Sequence, residues 1–254
     1  MGTINTTKTL FPAKFPQLLT GLALLSLSLV VSTAIAAKAL LEMKNSNDVL
    51  IVTGSAKRPI TSDYIVWGLS VSSQQPTAQA AYQDLQSQTE RVQAYLQAKN
   101  VPTAAIIMGA METYAIPEVT ENGQETGRTL AYRLTQRFEI SADDVGRYSK
   151  LSQEATELIN EGINLTVEPP QYLYTQLAPL RIEMVAEATK DAKARAEAIA
   201  SSTNSKVGSV RSAQTGVFQI TPRNSTDVND MGIYDTSSIE KDITAVVSIT
   251  FSME

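Results

Sequence analysis

An uncharged apolar run near the start limits what this chain can fold into more than any other sequence feature. Phe15 to Ala37 contains no charged residue and is rich in leucine. As a helix rising roughly 1.5 Å per residue it spans about 34 Å, which matches the hydrocarbon core of a bilayer. Lys8 and Lys14 precede the run without an acidic neighbour. The positive-inside rule therefore predicts that residues 1–14 are cytoplasmic, residues 15–37 form a transmembrane anchor and the rest lies outside.

A cleaved signal peptide is the alternative interpretation of this run. Ala34-Ile35-Ala36 fits the small-x-small pattern of a cleavage site. The run is longer than the usual apolar region of a signal peptide, about 7–15 residues, and this favours the anchor. Residues 38–48 are predicted to be a polar connector. Both interpretations place the domain on the extracytoplasmic, periplasmic side, secreted there if the run is cleaved.

Two residue types are missing from the composition, and their absence excludes several kinds of chemistry. The chain has no Cys and no His. It therefore has no disulfides, thiol nucleophile, Ser-His triad or imidazole metal ligand. The formal net charge of −5 argues against nucleic-acid binding. We accordingly predict no catalytic residue, no cofactor and no metal.

Residues 49–253 are predicted to fold as an α+β domain with antiparallel sheets packed by helices. Two βαββ halves, residues 49–140 and 163–253, repeat one order of elements and are linked by a helix over residues 142–160. The predicted strands are residues 49–52, 62–72, 104–117, 128–140, 163–173, 206–214 and 244–252. One predicted helix runs from Pro76 to about Asn100, and another begins between Thr175 and Pro179 and runs to about Ser202. The first two strands are expected to join across Ser55–Thr61.

Two polar loops interrupt this plan. Glu118–Gly127 contains Asn122-Gly123 and is predicted to be a hairpin loop. Gln219–Glu240 occupies the corresponding place in the second half. The two loops are candidate surfaces for another envelope protein.

Three residue groups could carry chemistry. Ser55 and Lys57 form a Ser-x-Lys triplet, but we place it in a turn, where a Ser-Lys hydrolase pair lacks the required support. Glu154, Glu157 and Glu161 share one helical side and could bind a cation, although solvated carboxylates explain them better. The segment 227–232 has only part of an EF-hand pattern.

Short motifs in the domain resemble the SIMPL-domain family. They are Val52-Thr53-Gly54-Ser55-Ala56, the segment Ile60–Trp67, the helix Ala186–Ala200 and the pair Val207-Gly208. The likeness extends over about residues 49–253. The resemblance implies a relationship to periplasmic immunogenic proteins and to an oxidative-stress defence protein, which belong to this family. Members of the family form ring- or channel-like oligomers. A subgroup keeps an N-terminal anchor, and no catalytic residues are established for the family.

We therefore expect a non-enzymatic extracytoplasmic envelope protein that self-assembles into a homo-oligomer and supports oxidative or envelope stress tolerance. The alternative is a binding module that recruits a protein partner through loops 118–127 and 219–240. A third hypothesis, a hydrolase using carboxylates or Ser55 and Lys57, is the least favoured.

Overall fold

The computed structural model describes residues 15–45 and 48–253. The helices are α1 (Phe15–Asn45), α2 (Ala78–Ala98), α3 (Val145–Glu154) and α4 (Leu177–Ser202). The strands are β1 (Val49–Thr61), β2 (Tyr64–Gln75), β3 (Ile106–Met108), β4 (Glu112–Val119), β5 (Glu125–Ala142), β6 (Leu165–Val167), β7 (Gln171–Leu173), β8 (Val207–Thr215), β9 (Gln219–Pro222), β10 (Ile233–Tyr234) and β11 (Glu240–Met253). Short 3-10 turns occupy Thr103–Ala105 and Ala155–Ile159.

The chain divides into two compact units. The first comprises Met1–Val52, Lys193–Ala213 and Ile249–Glu254, and the second comprises Thr53–Ala192 and Gln214–Ser248. In the first unit the backbone N–H of Met253 donates to the carbonyl of Asp48 at 2.9 Å. The second unit holds the main hydrophobic core and all the candidate functional residues.

The predicted N-terminal apolar helix is present as α1. Its segment Leu19–Leu40 is long and apolar enough to cross a membrane, and its side chains are exposed. These properties fit both a membrane anchor and a signal sequence. The predicted connector, residues 38–48, continues the helix as far as Asn45. The predicted cytoplasmic segment, residues 1–14, lies outside the described residues.

The strands form two sheets that are mostly antiparallel. In one sheet β2 lies between β5 and the short strands β6 and β7, while β3 and β4 pair with the far edge of β5. The other sheet has the order β1-β11-β9-β10, with β8 also beside β11. The predicted α+β class with antiparallel sheets and packing helices is confirmed. Each sheet takes strands from both sequence halves, since β1 pairs with β11 while β6 and β7 pair with β2.

The core of the second unit follows directly from the sequence pattern. Thr77 is the N-cap of α2, and its hydroxyl accepts from the N–H of Ala80 at 3.2 Å. Its apolar stripe packs on the inward face of β2 and β5. The buried side chains from these three elements include Leu85, Val92, Leu96, Ile65, Trp67, Leu69, Phe138 and Ile140.

Several predicted boundaries are wrong. Residues Ser55–Thr61 are not a turn, because β1 pairs with β11 rather than with β2 and stays extended to Thr61. The connection to β2 is Ser62-Asp63. The strand predicted over 163–173 is two short strands, since Pro169-Pro170 cannot donate to a ladder.

Two other elements are also shorter than predicted. The strand predicted over 104–117 is divided into β3 and β4, with residues 109–111 between them. The linking helix predicted over 142–160 is regular only from Val145 to Glu154, because Asp144 is its N-cap. A 3-10 turn follows it to Ile159.

Gly54 brings the backbone of β1 against the backbone of α4. A Cβ atom built at Gly54 would lie 2.7 Å from the Cα of Ala192 and would also overlap the Ala188 carbonyl oxygen. Ala188 and Ala192 are fully buried. Only glycine on the strand, facing alanines on the helix, permits this separation.

We predict that Gly54→Ala lowers the free energy of unfolding by about 3 kcal/mol, since the clash is with backbone atoms that cannot rotate away. Urea titration of the full chain in non-ionic detergent, followed by far-UV circular dichroism, measures the change. Gly146→Ala is the matched control, because a Cβ at Gly146 meets no atom within 4 Å and alanine favours the helix. Equal stability of Gly54→Ala and wild type would contradict the packing argument.

Candidate interaction surface

The residues on which the family resemblance rests make contacts that stabilise the fold. The Asp63 carboxylate accepts hydrogen bonds from the N–H of Thr175 at 2.7 Å and from its hydroxyl at 2.8 Å. This ties the β1–β2 connection to the segment that leads into α4. Trp67 is 1% exposed and lies in the main core. Together with Gly54, these residues fix the scaffold.

Ser55 and Lys57 lie in β1, and the prediction that they lie in a turn is wrong. The N–H of Ser55 donates to the Asp191 carboxylate at 2.8 Å. The Lys57 ammonium lies 3.0 Å from the carboxylate of Asp242. An ammonium group held in an ion pair is a poor general base, so this arrangement favours a structural role for Lys57.

The three glutamates of the linking segment are separated by their partners. Glu154 pairs with Lys99 at 2.8 Å, and Glu161 pairs with Arg91 at 3.2 Å. Both partners belong to α2 or its C-cap. Among residues 15–45 and 48–253, no three acidic side chains are grouped as a metal site would require. Glu154 and Glu161 therefore pair with separate cationic side chains instead of sharing one cation site.

The partial EF-hand pattern forms local turns. The Asn229 side-chain oxygen accepts from the N–H of Met231 at 2.8 Å. The Asp227 carboxylate accepts from the hydroxyl of Ser225 at 2.8 Å. Gly232 has φ +88°, a backbone conformation that favours glycine. These bonds shape the tip of the loop.

A buried lysine holds the end of the same loop. Lys241 is 1% exposed, and its ammonium donates to the carbonyls of Tyr172 and Asp235, each at 2.5 Å. Burial lowers the pKa of Lys241, and the nearby Asp235 carboxylate offsets part of that effect. Burial alone would raise the pKa of Asp235, but hydrogen bonds from Ser237 and Ser238 bring it below its ordinary value. Lys241 thereby connects β7 to the loop that precedes β11.

Asp242, the next residue, holds the beginning of the loop. Its side chain is 6% exposed, and its carboxylate pairs with Lys57 and accepts from the N–H of Asn224 at 3.1 Å. Burial would raise the pKa of Asp242, but the contacts with Lys57, Asn224 and Arg223 outweigh it and lower the pKa. Arg223 also pairs with Glu240 at 2.6 Å. Polar contacts thus fix both ends of the segment between β9 and β11.

The loop held in this way presents apolar side chains to solvent. Met231 is 91% exposed and Val228 is 79% exposed. Met231 lies with the half-exposed Val217 and Tyr234 around a hollow of about 360 Å³ that β9, β10 and the start of α4 also line. Arg181 stands over the ring of Phe218, 5.5 Å from its centroid. We call Val217, Phe218, Val228, Met231 and Tyr234 the 217–234 surface.

The other predicted loop, Glu118–Gly127, is shorter than predicted: β4 runs to Val119 and β5 starts at Glu125, so only residues 120–124 form the hairpin tip. The N–H of Gly123 donates to the carbonyl of Thr120 at 2.9 Å, and Gly123 has φ +76°. The Thr126 hydroxyl donates to the Glu118 carboxylate at 2.7 Å. This tip is polar, whereas the 217–234 surface is apolar. Contiguous apolar surface in contact with solvent is typical of a protein interaction site.

The lowered pKa of Asp242 predicts a specific loss of stability in acid. Since its folded-state pKa lies below the ordinary 3.8, ionised Asp242 stabilises the folded state above that pH. The stabilisation disappears as pH falls through the folded-state pKa. Asp242→Asn should lower the free energy of unfolding by about 1–3 kcal/mol at pH 7, and the difference from wild type should shrink below pH 3.8.

Urea titrations of both proteins at several pH values from 7 to about 2.5 measure this difference. Glu121→Gln, at an exposed position in the 118–127 hairpin, is the control for loss of one negative charge. A stability difference between Asp242→Asn and wild type that stays constant with pH would contradict the assignment.

Comparison with known proteins identifies the domain. The model of the SIMPL family, described as a protein of unknown function (DUF541), matches residues 50–251. No curated protein matches the chain. One solved structure, described as a putative amidohydrolase/peptidase from Burkholderia cenocepacia, is 17% identical over 53% of this chain and 33% of that chain, with a TM-score of 0.18. The chain thus spans a third of that protein, and such a likeness carries no argument about activity. The match over residues 50–251, which is more than half of the chain, shows that this chain belongs to the SIMPL family.

Proposed function

We propose that this protein is a non-enzymatic envelope protein, tethered to the membrane by α1, that acts outside the cytoplasm by associating with further copies of itself through the 217–234 surface. The observation that carries the proposal is the exposure of Met231 and Val228 on a loop whose two ends are fixed by Lys241 and Asp242. A loop without such anchorage would lose more conformational entropy on binding. Burying these side chains against a second copy would remove apolar area from water.

The membrane tether favours the same proposal. Copies confined to one bilayer meet at a high effective concentration, so a modest contact area is enough for association. The absence of His and Cys from the sequence, together with the ion pairing of Lys57, supports a role without catalysis. The tolerance of oxidative or envelope stress that the family resemblance implies would then depend on the assembly.

We predict that the detergent-solubilised full chain sediments as an oligomer and that Met231→Asp shifts it towards the monomer. A carboxylate at this position would be buried without a partner in the interface, so association should weaken at least tenfold. Sedimentation velocity over a hundredfold range of protein concentration measures both. Ile159→Asp is the matched control, because Ile159 is 53% exposed in the turn after α3 and lies outside the 217–234 surface.

Two results would contradict the self-association proposal. One is a monomeric wild-type protein at every concentration. The other is an oligomer that Met231→Asp and Ile159→Asp weaken equally, since association would then not depend on the 217–234 surface.

The alternative is recruitment of another envelope protein through loops 118–127 and 219–240. The tight hairpin at Gly123 and the fixed ends of the second loop favour it, because both present surfaces of defined shape. Replacing residues 226–231 with a Gly-Ser segment should then abolish capture of the partner from cross-linked membranes while the circular dichroism spectrum is unchanged. Undiminished capture would end this alternative.

We predict that the mature protein retains residues 1–37 and is exposed on the extracytoplasmic face. Intact-mass spectrometry of protein extracted from membranes should give the full-length mass. Protease added to spheroplasts should digest the domain and leave a small membrane-embedded fragment. A mature N-terminus near Ala37 or Lys38 would contradict this prediction and show that the apolar run is a cleaved signal peptide.

A further inference from the structure

A positively charged hollow lies at the junction of α2 and α3. Its volume is about 410 Å³, and it is lined by Lys99, Gly146, Arg147, Lys150, Leu151 and Glu154. Three cationic side chains thus face one carboxylate in a chain whose net charge is −5. The volume falls within the range of small-molecule sites, roughly 300–1,000 Å³.

Arg147 is held in place by the end of α2. One of its terminal nitrogens, Nη2, donates to the carbonyls of Lys99 at 2.7 Å and Asn100 at 3.0 Å. These bonds satisfy carbonyls at the C-terminus of α2 and fix the plane of the guanidinium. Within the described part of the chain, its Nε and Nη1 atoms make no hydrogen bond. The guanidinium is therefore oriented, and its Nε–H and Nη1–H donors stay available on different sides of the group.

The two lysines add charge to the same hollow. Lys150 lies one turn along α3 from Arg147, and among the described residues its ammonium has no partner. Lys99 pairs with Glu154 at 2.8 Å, but both side chains are substantially exposed, 37% and 46%. Such solvated pairs contribute little energy, so Lys99 can exchange this carboxylate for a ligand oxygen. Two other acids lie nearby along the chain: Asp144, whose carboxylate caps α3 by accepting from the N–H of Arg147 at 3.1 Å, and Glu157 in the turn that follows α3.

Gly146 keeps the hollow open. It lies in the first turn of α3, and a Cβ built on it meets no atom within 4 Å. A side chain at this position would project into free space beside the cations.

We propose that this hollow binds a small organic anion carrying carboxylate or phosphate groups, with Arg147 as the oriented hydrogen-bond donor and Lys99 and Lys150 as charge partners. A charged N–H donor of Arg147 forms a short, strong hydrogen bond with an oxygen of either group. Lysine neutralises the remaining charge as a flexible point cation. The hollow lies at the junction of α2 and α3, which are not part of the 217–234 surface. Anion binding in the hollow therefore does not depend on self-association.

Isothermal titration calorimetry of the full chain in non-ionic detergent tests this proposal. The probes are citrate and pyrophosphate, each titrated at constant ionic strength, with sodium chloride as the blank. We expect saturable binding of one anion per chain for at least one probe. Binding of citrate alone would assign a carboxylate ligand, binding of pyrophosphate alone a phosphate ligand, and binding of both would support the shared chemistry.

Three variants locate the binding. Lys150→Glu should weaken it at least tenfold, since a charge partner becomes a repelling group. Lys190→Glu makes the same charge change at an exposed position on α4 and should leave the affinity within twofold of wild type. Gly146→Glu should abolish binding while the thermal midpoint stays at or above that of wild type, because an acid in the first turn favours the helix.

Each contrary result overturns the proposal. The absence of saturable heat with either probe would do so, as would equal weakening by Lys150→Glu and Lys190→Glu, which indicates unspecific attraction. Gly146→Glu that binds like wild type would show that the anion lies elsewhere. None of these results would affect the sedimentation test of self-association.

Discussion

The contact on which the second unit depends is the approach of the β1 backbone to the α4 backbone at Gly54. A strand normally keeps its distance from a helix because side chains stand between them, but here Gly54 faces the buried Ala188 and Ala192. The close approach also brings β1 side chains within reach of their partners. Arg58 reaches two glutamates of α4, and Lys57 reaches Asp242 on β11. One missing Cβ thus sets the position of charged groups several residues away.

Two residues of the strand β11 hold the loop that precedes this strand. Lys241 and Asp242 point in opposite directions, as neighbours in a strand do, and both are buried. Lys241 holds the end of the loop through a carbonyl oxygen of Asp235, whereas Asp242 holds its beginning through the N–H of Asn224. Buried charge is costly, but here each charged group has backbone hydrogen-bond partners that offset part of the cost. The apolar tip at Met231 is therefore presented from a fixed base.

The sequence predicted the fold class, the apolar N-terminal helix and the family, because each depends on local periodicity or on a short motif. The alternation along β5 and the stripe of α2 are signals of this kind. The sequence did not predict that β1 leaves its neighbour β2 and pairs with β11, since strand partners are chosen by contacts between distant parts of the chain. The turn expected over Ser55–Thr61 was wrong for this reason. The burial of Lys241 could have been predicted, because alternation along the strand places it on the same face as Ile243 and Ala245. The grouping of Lys99, Arg147 and Lys150 around one hollow could not have been predicted from their spacing in the sequence.

The central claim, that the 217–234 surface contacts a second copy, is tested most directly in the native membrane. The chain has no cysteine, so Met231→Cys introduces a unique attachment point for a photoactivatable maleimide. Irradiation of labelled membranes should give a product of twice the chain mass, whereas the same label at Ile159→Cys should give little. Equal yields of the product of twice the chain mass from the two positions would contradict the account. Cross-linking of the labelled chain to lipid alone would also contradict it.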